Sequence, residues 1–354
     1  MKVRLGDYIQ EYSVKNKDDE NISVYSVTNT KGFCKDYFGK EVASKDKTTY
    51  KIVPYGYFAY NPSRINVGSV DWQRKEKKVI VSPLYNVFSV SPNLERQYLY
   101  YYLKSDFVLQ RIKAVATGSV RDNLKLSMLY EFPIELPKLE NQRKIVKILD
   151  KVSDVVEKKE QELEQLDTFV KSRFAEMFGD PIRNPKGWKV VTIGDIVTEV
   201  RYGTSKPAVE GGKYPYLRMN NLTADGHLDL NDLKYIDISD DEVEKCVVRK
   251  GDVLFNRTNS IDLVGKTAVF DLPDDMVIAG YIIRVRLNEK ILPEVLSQYM
   301  NLEALKDILR SMAKGAVNQA NINAQELQSI RIYVPDIELQ KQFVEMKDQV
   351  DKSK

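Results

Sequence analysis

Amide and guanidinium side chains are concentrated in three short stretches of the C-terminal half of the chain. Asn and Gln can form two hydrogen bonds to the edge of adenine in the DNA major groove, and Arg can form two to guanine. These stretches are therefore candidates for direct contact with bases, although Asn-rich turns also satisfy their own backbone groups. The clusters are Arg218, Asn220 and Asn221; Asn256, Arg257, Thr258 and Asn259; and Asn318, Gln319 and Asn321.

The N-terminal half carries related polar residues at positions that correspond to the second and third clusters. Lysines near these stretches are candidates for contacts with DNA phosphates, which position a protein on the duplex without selecting a sequence. The corresponding base-contact candidates are Asn61, Ser63 and Arg64, and then Ser119, Arg121 and Asn123. The phosphate-contact candidates are Lys113, Lys125, Lys206, Lys213 and Lys314.

Catalytic chemistry has few candidates in this sequence. His227 is the only histidine and lies in an acidic stretch, so general-base or metal chemistry of the usual histidine type has almost nothing to work with. The chain lacks the Asn/Asp-Pro-Pro-aromatic motif of amino-methyltransferases and the G-x-x-x-x-G-K-S/T phosphate loop. A nuclease-like Asp-x-Lys occurs at residues 232–234, but a chain with 54 basic and 51 acidic residues produces such triplets by chance. We predict no catalytic and no metal-binding residue.

Charge is distributed unevenly along the chain, although its net value is only +3. Residues 31–78 carry 11 Lys or Arg against 5 Asp or Glu, whereas residues 225–244 carry 8 acidic residues against 1 Lys. A basic face of the first kind suits the neutralisation of DNA phosphates. The acidic stretch is expected to point away from DNA or toward a basic partner, although a solvated surface would also produce such runs.

Composition is that of a globular protein with room for two ordinary cores, since 43% of the 354 residues are hydrophobic and 30% are charged. No window approaches the roughly 18 apolar residues of a membrane-spanning helix, and the first residues contain no apolar stretch typical of a signal peptide. Cys34 and Cys246 have no C-x-x-C partner. We therefore expect a protein of the reducing cytoplasm, without disulfides, in which the cysteines are packing residues.

The C-terminal half repeats the N-terminal half. Residues 124–146 align with residues 322–344 at a constant shift of 198, which pairs Gln142 with Gln340. The starts of the two halves match at a shift of 188, and each start contains Gly-Asp. This period is far longer than the roughly 50-residue unit of a solenoid repeat, so each copy is expected to be a domain with its own core.

Short alternating runs typical of strands, separated by turn signals and short helices, occur in both halves. This pattern predicts an α+β fold with two homologous globular domains separated by long helices. The predicted segments are an N-terminal domain over residues 1–137, a long helix over 138–180, a C-terminal domain over 181–335 and a short C-terminal helix over 336–354.

The long central helix is predicted from a stretch without Pro or Gly, residues 140–178, in which apolar residues recur at seven-residue intervals. At 1.5 Å per residue such a helix spans about 60 Å, and Gly179, Pro181 and Pro185 should end it. The helix is interpreted as a rigid spacer with an apolar seam. The predicted seam residues are Ile145, Leu149, Val152, Val156, Leu163, Leu166, Val170 and Met177.

The C-terminal helix repeats the opening of the long helix, with Phe343, Met346 and Val350 as its seam residues. An antiparallel coiled coil of the two helices would bury the seam and relate the domains by a pseudo-two-fold axis, as in symmetric proteins that bind palindromic DNA. Because the second helix is only about half as long, part of the first seam should remain open for another protein. The alternative is that the seam simply packs on its own domains.

The order of these features resembles the specificity subunit of Type I restriction-modification systems. Each half is introduced by Gly-Asp and closed by a Pro-x-Leu/Ile-Glu-x-Gln segment that runs into a long helix, and the resemblance covers essentially the whole chain. The second half is especially similar in three segments. They are Tyr216-Leu-Arg-Met-Asn-Asn-Leu, Gly251-Asp-Val-Leu-Phe-Asn-Arg-Thr-Asn-Ser and Gly315-Ala-Val-Asn-Gln-Ala-Asn-Ile.

This resemblance implies a non-catalytic subunit that determines DNA specificity. In the family, each globular domain is a target recognition domain that reads one half of a bipartite, asymmetric DNA sequence. The helices hold the halves apart and dock two methyltransferase subunits, which carry S-adenosylmethionine and methylate adenine, and restriction subunits join them to cleave DNA. The expected partners are thus double-stranded DNA, two methyltransferase subunits and restriction subunits, with no cofactor in this chain and no membrane.

Two other classes remain open from the sequence. A self-contained methyltransferase or nuclease would need a catalytic motif that this chain lacks. A duplicated DNA-binding or scaffold protein outside a restriction system would also have two similar domains and a long helix. A scaffold for proteins alone would explain the helix but not the duplicated turns rich in Asn and Arg.

Overall fold

A computed structural model of the chain describes residues 2–35, 46–115, 123–316 and 319–354, with the backbone alone for residues 314–316. Within these ranges the chain divides into two compact units, unit 1 (Met1–Glu157) and unit 2 (Lys158–Lys354). Each unit is described by itself below.

Unit 1 contains short strands and three short helices, followed by the start of a long helix. The strands are β1 (Lys2–Arg4), β2 (Ile9–Glu11), β3 (Ser26–Thr28), β4 (Gly32–Cys34), β5 (Lys51–Pro54), β6 (Phe58–Tyr60), β7 (Val70–Trp72), β8 (Lys78–Val81), β9 (Asn86–Val90) and β10 (Pro133–Glu135). The helices are α1 (Arg96–Lys104), α2 (Asp106–Val115), α3 (Leu126–Tyr130) and α4 (Leu139–Phe178), of which α4 ends in unit 2.

Unit 2 repeats this order and adds further strands. The strands are β11 (Lys189–Thr192), β12 (Val197–Tyr202), β13 (Tyr214–Leu217), β14 (Lys234–Ile236), β15 (Val247–Val248), β16 (Val253–Asn256), β17 (Thr258–Asn259), β18 (Thr267–Val269), β19 (Met276–Ile278), β20 (Ile282–Leu287), β21 (Lys314–Ala316), β22 (Gln319–Asn321) and β23 (Arg331–Val334). The helices are α5 (Asp240–Cys246), α6 (Pro293–Met300), α7 (Glu303–Met312), α8 (Ala324–Ser329) and α9 (Ile337–Ser353).

The strand pairing confirms the α+β class and the internal duplication. The first and last strands of each unit form an antiparallel ladder, in which Val3 faces Ile134 in unit 1 and Val191 faces Ile332 in unit 2. Each unit also has a four-stranded sheet of equivalent order, β2-β9-β6-β7 and β12-β20-β16-β18. The positions that recur in the sequence are therefore the same positions in two copies of one fold.

Each core forms where the short helices cover this sheet. In unit 1, Phe58 and Phe88 stack at 5.1 Å between their ring centroids, and they belong to one buried cluster with Leu99 of α1 and Ile112 of α2. All four side chains are fully buried. Burial of each such side chain contributes on the order of 1.5–3 kcal/mol, which keeps the sheet and its connecting loops in place.

The end of α4 packs antiparallel to α9 inside unit 2. The Phe343 ring lies 5.3 Å from Phe174 and 5.5 Å from Phe178, while Lys354 at the other end of α9 forms an ion pair with Asp167 at 2.7 Å. The two helices therefore run in opposite directions. The helix ends at Phe178, and Gly179 follows with a left-handed φ of 87°.

The predicted seam needs correction at this end of α4. The side chains that are buried are Val170, Phe174 and Phe178, at intervals of four residues, whereas Met177 is only partly buried. A straight α-helix drifts by about 20° per heptad relative to a 3.5-residue repeat. Where the helix packs on a globular core, its buried residues therefore recur every four positions. The seven-residue repeat does not identify Phe174 and Phe178. In α9, Phe343 and Val350 are buried and Met346 is partly buried.

The middle of α4 has a different environment. Residues 151–165 are exposed, including the predicted seam residues Val152, Val156 and Leu163. Leu166, nearer to unit 2, is partly buried against its core, while Ile145 and Leu149 are partly exposed in unit 1. The apolar repeat is thus covered where α9 lies and open along the middle of the helix.

Two remaining predictions concern the cysteines and the absence of membrane-spanning helices. Cys34 is half-buried in β4 and Cys246 is buried at the end of α5, where burial raises the pKa of its thiol. Both cysteines are free. Over the ranges that the structure covers, every helix is too short or too polar to cross a lipid bilayer.

Candidate nucleic-acid interface

The second and third polar clusters of unit 2 lie side by side. Strand β17 pairs with β22, so that Thr258 faces Asn321 and the Thr258 hydroxyl donates to Asn321 Oδ1 at 2.8 Å. The amide of Ile322 donates to the carbonyl of Arg257 at 2.9 Å. Residues more than 60 positions apart in the sequence are thereby joined into one polar surface.

Unit 1 brings its own two clusters together in the same way. The amide of Leu124 donates to the carbonyl of Pro62 at 3.1 Å, at the position equivalent to Ile322 in unit 2. The Ser63 hydroxyl donates to Asn123 Oδ1 at 2.5 Å. The loop after β6 and the segment before α3 therefore form one surface in unit 1, as the loop after β16 and the segment before α8 do in unit 2.

Arg257 is held in place at this surface. Its guanidinium lies 4.9 Å from the ring centroid of Tyr202, and Nη1 donates to the Gly280 carbonyl at 3.5 Å. Its Nε is buried and has no hydrogen-bond partner in the described part of the chain. Stacking holds the guanidinium at low conformational entropy, while the residue as a whole is only half-buried.

Three of the predicted base-contact residues are instead buried. Asn256 is fully buried, and its Oδ1 accepts from Asn259 Nδ2 at 3.1 Å. Asn221 is 2% exposed, and its amide group accepts from the Arg218 backbone at 2.8 Å and donates to the Asp229 carbonyl at 2.7 Å. Thr258 is 7% exposed. In this conformation these side chains satisfy their own loops, which is the alternative that Asn-rich turns allow.

The other candidates of unit 2 are accessible to different degrees. Asn220 and Gln319 are exposed, whereas Arg218, Asn259 and Asn321 are half-buried. The first cluster lies in a short helical turn, Met219–Asn221. Arg218 is already engaged, because its Nη2 forms an ion pair with Asp232 at 2.6 Å.

A buried lysine connects this turn to the loop that carries the second cluster. Lys266 is 9% exposed, and its ammonium donates to the carbonyl of Met219 at 3.0 Å and to that of Leu222. Its backbone carbonyl accepts from the Asn256 amide at 2.8 Å, which closes the loop. Burial lowers the pKa of the Lys266 ammonium. The first and second clusters are thus held by one residue.

A second buried ammonium, that of Lys306 in α7, lies below the same loop. It donates to the Gly265 carbonyl at 2.6 Å and to Asn301 Oδ1 at 2.9 Å, and burial lowers its pKa to about 8. Any residue other than glycine would be strained at position 265, because φ is +81° and an added Cβ would lie 2.4 Å from Leu309 Cδ1. The loop therefore depends on a close backbone approach and on two buried cations.

The pKa of Lys306 predicts a pH dependence of stability. Because the unfolded lysine holds its proton up to about pH 10.4, while the folded one releases it near pH 8, stability should rise as the pH increases between these values. The rise is limited to about 1.4 kcal/mol per pH unit for one proton. Urea denaturation of the wild type and of Lys306→Met across this range measures it. Parallel pH profiles for the two proteins would contradict the assignment.

The acidic stretch of residues 225–244 forms ion pairs within unit 2. Lys206 pairs with Glu242 at 2.5 Å, and Lys213 pairs with Asp240 at 3.3 Å. Two acidic side chains of this stretch thus pair with two predicted phosphate contacts. Exposed pairs of this kind contribute only about 0–1 kcal/mol, so a phosphate could displace the carboxylates at little cost.

Unit 1 has a small polar recess beside its candidate residues. Asn61 and Arg64 line it together with Ser26, Thr28 and Asn29. Asn61 Oδ1 accepts from the Ser63 amide at 3.1 Å, while Ser63, Arg64 and Asn123 are exposed. Two of the base-contact candidates of this unit, Asn61 and Arg64, thus lie at the recess.

Sequence reasoning missed several neighbours of these surfaces. Asn29 lines the recess of unit 1. In unit 2 the exposed Tyr202 ring stacks on Arg257, and the carbonyl of Tyr281, whose side chain is also exposed, accepts from the Arg257 backbone amide at 2.9 Å. No local signal marks these residues, since they come from other loops. Of the remaining predicted residues, Lys113 and Lys125 are exposed. Ser119, Arg121, Asn318 and the side chain of Lys314 lie outside the described residues.

The single histidine lies away from a catalytic arrangement. His227 is in a turn where its amide donates to the Thr223 hydroxyl at 2.9 Å, and its Nε2 lies 3.9 Å from carboxylates of Asp225 and Asp351. Among the described residues no group of three His, Cys, Asp or Glu side chains could hold a metal ion.

The chain is similar in sequence to one family of known proteins. The family model for the Type I restriction modification DNA specificity domain matches residues 2–168 and again residues 185–354. The chain is 24% identical over 269 residues to the Type I restriction enzyme EcoKI specificity subunit of Escherichia coli (strain K12), which covers 72% of this chain and 58% of that protein. It is 24% identical over 277 residues to the Type I restriction enzyme StySPI specificity subunit of Salmonella potsdam, which covers 74% of this chain and 58% of that protein. The chain thus matches less than two thirds of the length of these relatives.

A solved structure shares the fold. The crystal structure of the S subunit of a Type-I restriction-modification system from M. genitalium superposes with a TM-score of 0.56 at 15% identity, over 100% of this chain and 89% of that chain. Both the sequence matches and this fold agree with the duplicated units described above. Because two copies of the domain account for most of its residues, the chain belongs to the Type I restriction modification DNA specificity domain family.

Proposed function

We propose that this chain is the DNA specificity subunit of a Type I restriction-modification complex. Each unit reads one half of a bipartite, asymmetric DNA site, and the helices α4 and α9 set the spacing between the halves. They also dock two methyltransferase subunits, which bind S-adenosylmethionine and methylate adenine, and restriction subunits join this assembly to cleave DNA. The chain itself performs no catalysis.

The observation that carries this proposal is the polar surface found at the same place in both units. In unit 1 a backbone hydrogen bond joins the loop after β6 to the segment before α3, and in unit 2 one joins the loop after β16 to the segment before α8. Side chains that suit base edges project from this junction, among them Arg64 in unit 1 and Arg257 in unit 2. Two equivalent surfaces with different side chains suit two different half-sequences.

The exposed apolar residues of α4 support the docking of partner subunits. Ile148, Val152 and Val156 are each more than half exposed, and Leu163 is 39% exposed. These residues recur at intervals of about four and seven, so they follow one face of the helix. A helix from a partner subunit that packs on this face would remove the side chains from water.

The proposal is tested by coexpressing the chain with the methyltransferase subunit encoded beside it and mapping methylated adenines in the host genome. We expect methylation within one bipartite sequence. Binding of duplex DNA without any methylation would favour a duplicated DNA-binding protein outside a restriction system. Absence of salt-dependent binding to duplex DNA would favour a scaffold for proteins alone.

Replacing Arg257 with Ala should lower the discrimination between bases at one position of one half-sequence by about 1–3 kcal/mol. The other half-sequence should remain unchanged, since it is read by unit 1. Binding-site selection by the reconstituted complex measures both effects. Arg249→Ala is the matched control, because Arg249 lies before β16 and is paired with Glu244 at 2.9 Å, whereas Arg257 follows that strand. Equal specificity of the two variants would contradict the role of Arg257.

A further inference from the structure

Two glutamines at equivalent positions form the same contacts in both units. Gln142 is the fourth residue of α4 and Gln340 is the fourth residue of α9, and both side chains are fully buried. A fully buried amide group at the start of a helix is uncommon because its donors and acceptor lose their hydration. Their surroundings therefore show what the two side chains do.

In unit 1 the Gln142 side chain connects three segments. Its Nε2 donates to the carbonyls of Asn93 at 3.0 Å and Pro137 at 2.9 Å. Its Oε1 accepts from the backbone amide of Glu95 at 2.8 Å, and Glu95 is the residue that precedes α1. The start of α4 is thus bound to the start of a core helix.

In unit 2 the Gln340 side chain makes the equivalent three hydrogen bonds. Its Nε2 donates to the carbonyls of Lys290 at 3.0 Å and Pro335 at 2.8 Å. Its Oε1 accepts from the amide of Leu292 at 2.8 Å, and Leu292 is the residue that precedes α6. The same set of contacts therefore recurs in both copies of the fold, although the backbone segments that they join differ in sequence.

Only a side chain with two donors and one acceptor at this reach can satisfy all three backbone groups. Glutamine has these groups. Ionised glutamate has no donor, and methionine has no donor and only a weak sulfur acceptor. The chain enters the two helices through the segments that contain Pro137 and Pro335. Without the amide group, the start of α4 would keep the Tyr101–Asp150 hydrogen bond at 2.6 Å, and α9 would keep its packing on Phe174 and Phe178, but neither helix start would be bonded to the start of a core helix.

We infer that Gln142 fixes the direction in which α4 leaves unit 1, that Gln340 fixes the start of α9 in unit 2, where α9 packs on the end of α4, and that both glutamines so restrict the gap that the complex accepts between the two half-sequences. This inference rests on the proposed function. The glutamines are positioning residues, since they act through the helices and not through contact with DNA. Their effect should therefore fall on the gap and leave the identity of each half-sequence unchanged.

A first experiment tests the contacts themselves. In the full chain, Gln142→Met should raise hydrogen exchange at the Glu95 amide on the order of tenfold or more, and Gln340→Met should do the same at the Leu292 amide. Gln342→Met is the control, because Gln342 is exposed and lies two residues further along α9. Unchanged exchange at Glu95 and Leu292 in the variants would overturn the inference.

A second experiment tests the consequence in the complete methyltransferase complex. Duplexes that carry both half-sequences with gaps varied by single base pairs are offered to wild-type and variant complexes. We expect the wild type to methylate one gap and the two variants to methylate neighbouring gaps as well, with the same half-sequences. A uniform loss of activity with an unchanged gap preference would overturn the positioning role.

The two proposals can fail separately. If the wild-type complex methylates no bipartite duplex, the proposed function fails, whereas the hydrogen-exchange result still decides whether the glutamines hold the helices. If Gln142→Met does not fold, Gln340→Met at the Leu292 amide still tests the contacts. Gln142→Glu then tests the gap preference, because it keeps the shape and the acceptor for Glu95 but loses the two donors to Asn93 and Pro137.

Discussion

Replacement of Phe174 by Ala is expected to lower the free energy of unfolding by about 3–5 kcal/mol. The Phe174 side chain is fully buried, and its ring lies 4.8 Å from Phe178, 6.3 Å from Tyr299 and 5.3 Å from Phe343. The substitution would leave a cavity between the end of α4, α6 and α9. Urea denaturation measures the loss, and faster hydrogen exchange in α9 would locate it.

The control for this prediction lies on the same helix. Phe169 is 46% exposed, so Phe169→Ala removes the same atoms from α4 without opening a cavity in the core. We expect a change of less than about 1 kcal/mol. Equal destabilisation by the two substitutions would mean that the aromatic cluster is not what fastens α4 to unit 2.

Insertion of four residues after Glu160 is expected to change the gap between the two half-sequences while both half-sequences stay the same. Four helical residues add about 6 Å, close to two base pairs at about 3.4 Å each, with a net rotation of about 40°. The insertion falls in residues 151–165, which are exposed, so neither core is disturbed. Mapping of methylated adenines in cells that express the variant complex measures the new gap.

Two further variants separate length from rotation and from composition. Insertion of seven residues adds about 10.5 Å, close to three base pairs, and keeps the apolar face of α4 within about 20°. Replacing Lys158 and Glu160 by Ala alters the same stretch without changing its length, so the gap should not change. Altered half-sequences with the original gap, in either insertion variant, would mean that α4 does not set the spacing.

Much of the fold could be predicted from the sequence because it depends on local or repeated signals. The duplication is visible as two constant shifts, and the strand ladders reproduce both of them. The long helix ends at Phe178, and Gly179 after it adopts the left-handed conformation that commonly terminates a helix, a signal that can be read from the sequence. These features are properties of short segments, so no knowledge of distant contacts is needed.

The contacts of α4 with unit 2 could be predicted only in part. Heptad spacing finds Leu166, Val170 and Met177, which pack on that core, but it does not find the fully buried Phe174 and Phe178. Which face of a helix becomes buried at its end depends on the surface that it meets. That surface is formed by residues of α6 and α9, more than 100 positions further along the chain.

The sequence by itself determined the two similar domains, the long helix and the polar stretches that are candidates for contact with DNA. Only the tertiary structure decided which of those side chains are accessible. Asn221 and Asn256 are buried, Arg218 and Lys206 are paired with acidic residues, and Arg257 is stacked on Tyr202. The physical reason is that residue type sets the hydrogen bonds that a side chain can make, whereas burial and pairing are set by segments that only folding brings near.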